Sequence, residues 1–580
     1  MKKRKALIST LILVGLMGLS SCGNNKEKSD ASSIEESSST SHESVATSSE
    51  EDSQVSSQEQ ISSSISTESE TPPVTPEEEI KLHEYFKTEK LPEIKINTAD
   101  GLAIDDSSLI DPTQHKGSKG EVPVYNYVGA SISVDSNGEG YDLTDVASQV
   151  KVRGNYTSTY AKRPIRIKFD KKQSLLGLNN NNKFKSWVLL AEWKDTSMLR
   201  NTVAGFISNS ILESDGYYAS DFRPVKVYLN GEYNGVYNLV EQQQIDSNRV
   251  NIPESKLATD GVKTGYFLEY DGYYKNEDAI QTFTVDYLGQ NNGNTGFSVT
   301  NDIMNQEQHD FAAKCTQNIW KVVYDAIKKT HTDVTTNPFH TIDEDGEYVT
   351  DTSTSVEEAI SKVIDIDSLV DMFIVCDISE DRDIGFSSFN LSLDMSETGN
   401  RKMTYVAPWD FDYAYGNSTW GNALALTLAN QSAMTSNGRL VKSGSSYKFS
   451  DSCVLTKDDF KISNSSTLYC STTDNPWLNI FANQGWFWER VNAKWNLAKE
   501  AGVFTEASKL IDLYTTKYSA DYVENATKWS QSFGITLSGY QPSIVKYFVN
   551  QRQASEYLKI WLDARIAGLD SAYPKQLAKY

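Results

Sequence analysis

Halfway along the foldable part of the chain the hydrophobic period changes, and no other feature narrows the fold as much. From about residue 91 apolar residues alternate, in "LPEIKINT", in "VGASISV" and on both sides of the turn in "QVKVRGNYTSTYAKRPIRIKFD". In "RPIRIKFD" Ile165, Ile167 and Phe169 share one face and Arg166 and Lys168 the other, which is the period of a half-buried strand. "KSWVLLAEW" reads as a short apolar strand, and "PVKVYLNGEYNGVYNLVEQ" places two alternating runs around Asn230-Gly231, the strongest short signal for a hairpin. One helix is clear in this half: "DTSMLRNTVAGFISNSIL" has a polar start followed by Met198, Leu199, Val203, Phe206, Ile207 and Ile211 at helical spacing. The second half reads differently. "DFAAKCTQNIWKVVYDAIKK" and "SVEEAISKVIDIDSLVDMFIVCDIS" are amphipathic helices, and beyond a polar insert at about 417 to 475 the chain is helical to the end. An α+β protein follows, strand-rich first and helical second, without internal repeats.

Ahead of this lies a segment of another kind. "MKKRK" is a basic leader, "ALISTLILVGLMGL" an apolar run too short to span a bilayer, and "LSSC" ends in small residues before Cys22. Residues 1–22 are expected to be a signal peptide. A cysteine at that place resembles a bacterial lipobox, so Cys22 is expected to carry lipid and to hold the protein on the outer face of the cell membrane, outside the cytoplasm. Residues 23–80 are Ser, Glu, Thr and Gln with almost no large apolar residue, a composition that cannot offset its own ordering entropy and predicts a disordered stalk. About fourteen acids against two lysines in this stretch supply roughly half of the net charge of −23. That charge argues against a nucleic-acid partner. Cys315, Cys376, Cys453 and Cys470 show no metal-like spacing; Cys453 and Cys470 would close a short loop, or all four would be buried thiols.

The chemistry concentrates in "MTYVAPWDFDYAYGN", where an apolar run ends in Asp410 and Asp412 among aromatics. Aspartate is a poor strand residue and costly to bury, and such local conflict marks functional sites. Taken alone, the pair reads either as oxygen ligands for a divalent cation or as caps of the following turn. A glycosidase pair is a third reading, although such carboxylates flank a bond at about 5 to 9 Å and usually come from different elements.

"KVRGNYTS", "RPIRIKFDKK", "LLGL", "KSWVLLAEWKDTSMLRN", "VKVYLNGEYNGVYNLVEQ" and "APWDFDYAYG" stand in the order and rough spacing of the spore-coat protein H (CotH) kinase family, which the chain resembles over about residues 91–570. The resemblance implies an atypical, bilobal protein-kinase-like fold within residues 81–580, with a strand-rich N-lobe at about 91–255 and a helical C-lobe at about 256–575. It also implies transfer of the ATP γ-phosphate to Ser or Thr of a protein, with Mg²⁺ or Mn²⁺. Asp410 then suits the metal role of the Asp-Phe-Gly element in ordinary kinases, with Asp412 sharing the ion. In "EDRDIGFSSFN" the family pattern puts Asp383 in the place of the catalytic base and Asp381 where asparagine is commoner. Five residues after Asp383 the family's asparagine is replaced by Ser388, with Asn390 two further on, so Ser388 or Asn390 is the expected second metal ligand. Lys168, where a kinase carries its strand lysine, is the expected phosphate contact. Glu241 is its expected ion-pair partner, and Arg153 and Asn155 line the same mouth. The acceptor is a protein Ser or Thr, with the protein's own stalk an obvious candidate through tethering. The reading from another class keeps this fold in an adhesin or carbohydrate-binding module, which the abundant Trp and Tyr suit.

Overall fold

A computed structural model of the protein describes residues 80–116, 122–419, 424–530 and 541–580. The expected signal peptide, Cys22 and the stalk lie outside these residues. Residues Glu79–Tyr580 fall within one compact unit.

The alternating runs of the first half form seven strands: β1 (Glu93–Thr98), β2 (Val128–Asp135), β3 (Leu143–Val152), β4 (Ile165–Gln173), β5 (Phe184–Leu190), β6 (Phe222–Leu229) and β7 (Glu232–Glu241). They close into a barrel in the order β1-β2-β3-β4-β5-β7-β6. Every pairing is antiparallel except the closure, where β1 runs parallel to β6 with Glu93 opposite Lys226. Closure removes the exposed sheet edges. Ile165, Ile167 and Phe169 point into the barrel with Ile96, Trp187 and Leu239, all essentially without solvent contact. Arg166 and Lys168 therefore stand on the outside. Asn230 and Gly231 have φ of 48° and 84°, the left-handed pair that a two-residue hairpin turn requires.

Helix α1 (Arg200–Leu212) is buried on every face, against β6 and the helices of the second half. That half is not wholly helical. It has a five-stranded sheet of β8 (Gly265–Asp271), β9 (Thr282–Phe283), β10 (Gly296–Val299), β11 (Phe389–Asp394) and β12 (Met403–Tyr405), in the order β9-β10-β8-β11-β12. Around it lie α2 (Gln306–Lys328), α3 (Ile366–Ser379), α4 (Gly485–Glu500), α5 (Val503–Lys517), α6 (Ser519–Lys528) and α7 (Gln551–Leu577). The run 355–379 is two helices, and α3 is buried all round, because it is the centre of this half and has no solvent side to keep polar. All four described cysteines are buried free thiols, so the Cys453–Cys470 closure does not form; Cys470 lies instead beside Cys376, with its Sγ 3.6 Å from the carbonyl of Phe373.

Residues 80–92 strap the two halves together. Phe86 lies under the Arg223 guanidinium at 4.0 Å and its carbonyl accepts from the Tyr514 hydroxyl at 3.3 Å. His83 Nε2 stands 2.8 Å from Asp221 Oδ1, and its backbone N–H donates to Ser210 Oγ at 3.1 Å. Burial opposes a charge on His83, but the Asp221 hydrogen bond and the charges of Asp221, Glu213 and Glu241 prevail and raise its pKa. Burial, then Asp221, pushes Glu213 up to about 7, with His83 and Lys81 opposing. Both shifts have the same sign for stability. A histidine raised on folding contributes most below its unfolded value and loses that contribution as pH rises through the folded one; a raised carboxyl is likewise most favourable while protonated. The Glu213 contribution is therefore lost between about pH 4.5 and 7, and that of His83 as pH rises above about 6.5. His83→Gln should lower the melting temperature at pH 6, by the equivalent of about 1.5–3 kcal/mol for a charge-assisted hydrogen bond. The cost should shrink as pH rises and the wild-type imidazole loses its proton; a loss independent of pH would contradict the linkage.

Candidate functional site

Asp410 does not end a strand. β12 stops at Tyr405, and the chain then turns through Ala407 (φ 53°) to Asp410 (φ 66°, ψ 60°), both left-handed, before a single 3-10 turn at Phe411–Tyr413. Non-glycine residues hold that conformation at a cost, so the surroundings must fix it. The carbonyl of Ala407 accepts from Asn390 Nδ2 at 2.9 Å and Gln243 Nε2 at 2.8 Å. Trp409 packs on Val188, Phe222 and Val240, the outer face of the barrel. From α1, the Asn201 side chain accepts the N–H of Phe411 at 3.1 Å and donates to Asp412 Oδ1 at 3.0 Å. Arg200 Nε donates to the carbonyls of Ala414 and Tyr415 at 3.1 and 3.3 Å.

Above this turn lies an open cleft of about 460 Å³, a volume that includes its solvent-filled mouth. Trp409, Asp410 and Asp412 form its floor, and Leu190, Ala191, Glu192 and Trp193, which follow β5, form one side. Arg153, Thr157, Tyr160 and Pro164, from the β3–β4 connection, cover it. That connection needs its glycine: Gly154 has φ 96°, and a Cβ there would sit 1.9 Å from Thr157 Oγ1. Asn155 does not line the cavity; its carbonyl accepts from the N–H and hydroxyl of Ser158 at 3.2 and 2.7 Å and so shapes the cover.

Asp381 and Asp383 follow α3 after Glu380, which turns the chain at φ 45°. Both are almost fully buried, and the Asp383 N–H donates to Asp381 Oδ1 at 3.0 Å. Asp381 Oδ2 and Asp383 Oδ1 accept no hydrogen bond among the described residues. Burial pushes Asp383 up to about 7, Asp412 adding to the rise and Arg382 opposing it. Asp412 rises to about 6 through burial and then Asp195, against Asn201, Lys194 and Arg200. The fields of Asp383 and Asp412 thus overlap, and Tyr160 feels both Asp410 and Asp412.

The cations fall elsewhere than expected. Arg153 reaches the cavity, whereas Lys168 is not among its lining residues; its Nζ lies 5.8 Å from the Tyr127 ring. Beside Arg153 on the same outer face, Arg166 stands opposite Lys151, whose Nζ lies 4.3 Å from that ring. Glu241 is not the partner of Lys168. Its Oε1 accepts from the Tyr218 hydroxyl at 3.1 Å and Asn179 Nδ2 at 3.3 Å, deep behind β7, since its position on the strand turns it away from the β4 lysine. Asn390 uses its amide protons on Gln243 and the carbonyl of Ala407, and Ser388 (φ 60°) donates its N–H to Glu269 Oε1 at 3.0 Å while its buried hydroxyl has no partner.

Several site residues escape a reading of the sequence. Glu192, Lys194, Asp195, Arg200 and Asn201 all lie in "AEWKDTSMLRN", where polar residues before a helix pass for its N-terminal cap. Asp195 does cap it, accepting from the N–H groups of Leu199 and Arg200 at 3.0 and 2.9 Å, but it also pairs with the Arg200 guanidinium. Glu269 and Asp271 share one face of β8 beside Ser387, whose hydroxyl is 3.2 Å from each; burial and their mutual charge push Glu269 up to about 8. Two acids alternating in the apolar "GYFLEYDG" were the available signal.

Among the described residues no three His, Cys, Asp or Glu side chains are grouped to hold a metal by themselves. Mg²⁺ in nucleotide sites takes one or two carboxylates and completes its shell with phosphate oxygens and water. Asp410 and Asp412 offer such a donor pair, with the unpartnered Asp383 oxygen nearby in electrostatic reach. No curated protein matches the chain. The family model described as CotH kinase protein matches residues 150–556, from the cavity's cover through the acidic turn to the last helix. Because that match takes in more than two thirds of the 580 residues, the protein belongs to the CotH kinase family.

Proposed function

We propose that the protein is a metal-dependent kinase that transfers the γ-phosphate of ATP to a serine or threonine of a protein, working outside the cytoplasm while held to the membrane by lipid on Cys22. The observation that carries this reading is a cavity with opposite charges on its two walls. Arg153 shares it with Asp410 and Asp412, and Arg166 and Lys151 continue the cationic wall along the barrel. Adjacent like charges repel, Arg153 lowering the pKa of Arg166 after burial itself, and a polyphosphate between the walls would relieve that repulsion. Arg153, Arg166 and Lys151 rather than Lys168 then neutralise the phosphates. Asp410 and Asp412 would hold the divalent ion, which when bound neutralises charge on the transferring phosphoryl group. Asp383, pushed up to about 7, is suited to take the proton of the acceptor hydroxyl at its free Oδ1. Trp409 and Pro164 add apolar surface to the cavity's lining.

Asp383→Asn should leave metal-dependent ATP affinity within about twofold and lower transfer by about 10²–10⁴, the range for a general base. Calorimetry beside transfer of labelled phosphate measures both. No binding of ATP to the wild-type protein in millimolar Mg²⁺ or Mn²⁺ would refute the kinase reading and favour the adhesin. The Ser-rich stalk is the proposed acceptor in cis, and phosphosite mapping after incubation with ATP tests it. An unmodified stalk beside a modified exogenous protein would eliminate that part.

A further inference from the structure

Glu192 on one side of the cavity and the Asp410–Asp412 turn at its floor come from different halves of the molecule, Asp410 lying 218 positions after Glu192 in the chain. Both acids sit in backbone that side chains rarely adopt, with φ of 52° at Glu192 and 66° at Asp410. One side chain touches both. Asn201, in the first turn of α1 and only 1% exposed, donates from Nδ2 to Glu192 Oε2 at 3.1 Å, to Glu192 Oε1 at 3.2 Å and to Asp412 Oδ1 at 3.0 Å, while its Oδ1 accepts the Phe411 N–H at 3.1 Å. Its neighbours hold it still. Asp195 caps the start of α1, and Arg200 grips the carbonyls just beyond the acidic turn.

We propose that Asn201 is a positioning residue that fixes Asp412 and Glu192 at the separation a metal-bound nucleotide requires. An amide suits this place because it is uncharged and offers donors and an acceptor at once. A lysine or arginine would cancel the carboxylate charge a metal needs, and a carboxylate would add to the crowding that already raises Glu192, through burial and then Asp412 and Asp195. Asn201 holds Asp412 Oδ1 and both Glu192 oxygens without adding a charge of its own. Asn201 touches neither metal nor phosphate itself, and its role rests on the kinase reading above.

The test is Asn201→Leu, close in volume but without hydrogen bonds, in the full-length protein, with ATP binding titrated against Mg²⁺ and separately against Mn²⁺. The metal concentration for half-maximal ATP binding should rise about 10–100-fold, the usual effect of losing a partner that orients a metal ligand, while ATP affinity without metal stays within about twofold. A purely structural residue would lower the melting temperature and leave the metal midpoint alone, and that result would overturn the proposal. Should Asn201→Leu not fold, Asn201→Ser is read by the same two criteria. Glu192→Gln, which still accepts from Asn201, should shift the midpoint much less. If the wild-type protein binds ATP with metal and the Asn201 variants keep its midpoint, this inference fails alone; if the wild type binds none, the kinase reading fails first.

Discussion

Asp410→Asn is expected to abolish metal-dependent ATP binding and phosphoryl transfer together. A metal ligand acts in the ground state and in the transition state alike, so its loss cannot be confined to one of them. The substitution keeps the size of the side chain and, since asparagine tolerates left-handed backbone, the φ of 66°. The fold should survive, with a melting temperature close to that of the wild type. Transfer should fall by at least about 10²–10³, the range of one electrostatic contact at a developing charge. Asp412→Asn should be milder, because Asn201 still holds that oxygen. If Asp410→Asn binds ATP with an unchanged metal requirement, the ion is not held by this turn, and the similarity to the Asp-Phe-Gly element has misplaced it. Changes at Asp381, Asp383 and Asp410 that all left binding and transfer untouched would remove the kinase assignment altogether.

The largest loss of stability is expected from Arg565→Leu. Arg565 on α7 has no solvent exposure, pairs with Glu380 Oε1 at 3.0 Å and Asp377 Oδ1 at 3.3 Å, and also donates to the carbonyls of Asp377, Ser465 and Thr467. Leucine would leave two buried carboxylates without their cation. Asp377 would keep the N–H of Cys470 and the hydroxyl of Tyr573, and Glu380 the N–H of Leu424. Breaking such a pair from one side costs about 3–5 kcal/mol, more than the buried leucine returns. Glu380 already stands raised to about 7 by burial, with Arg565 opposing the rise, so it should take up a proton in the variant. Urea denaturation measures the loss, and a variant less than about 1 kcal/mol weaker would show that the carboxylates find other partners. Because Glu380 starts the turn that presents Asp381 and Asp383, transfer should also fall in protein that remains folded.

Much of the N-terminal half was legible because a strand declares which of its faces is apolar. Ile165, Ile167 and Phe169 went inside as the alternation required, and Asn230-Gly231 made its turn because those residues accept left-handed backbone. Local periodicity carries no information about closure. The parallel pairing of Glu93 with Lys226 joins segments more than 130 residues apart, and the strands themselves do not encode it. The α3 helix shows the same limit from the other side: its run reads as amphipathic, yet the helix is buried nearly all round because it lies at the centre of its half.

The site divides along the same line. Two carboxylates in an apolar run advertise a conflict of burial and charge, so Asp410 and Asp412 could be picked out from the residues themselves, whereas Asp381 and Asp383 were marked only by the family resemblance. Local sequence determined that Asp410 and Asp412 follow an apolar run, and that Arg166 and Lys168 face away from the barrel core; the left-handed turn that carries the acids came only with the fold. Which cation meets which acid was decided by tertiary structure alone: Arg153 lines the cavity and Lys168 does not, Glu241 bonds Tyr218, and Asn201 reaches Asp412 from 211 residues away. The period of a strand or helix says which side chains turn from its own core, and the surface those side chains then meet depends on how distant segments pack, which only the folded chain specifies.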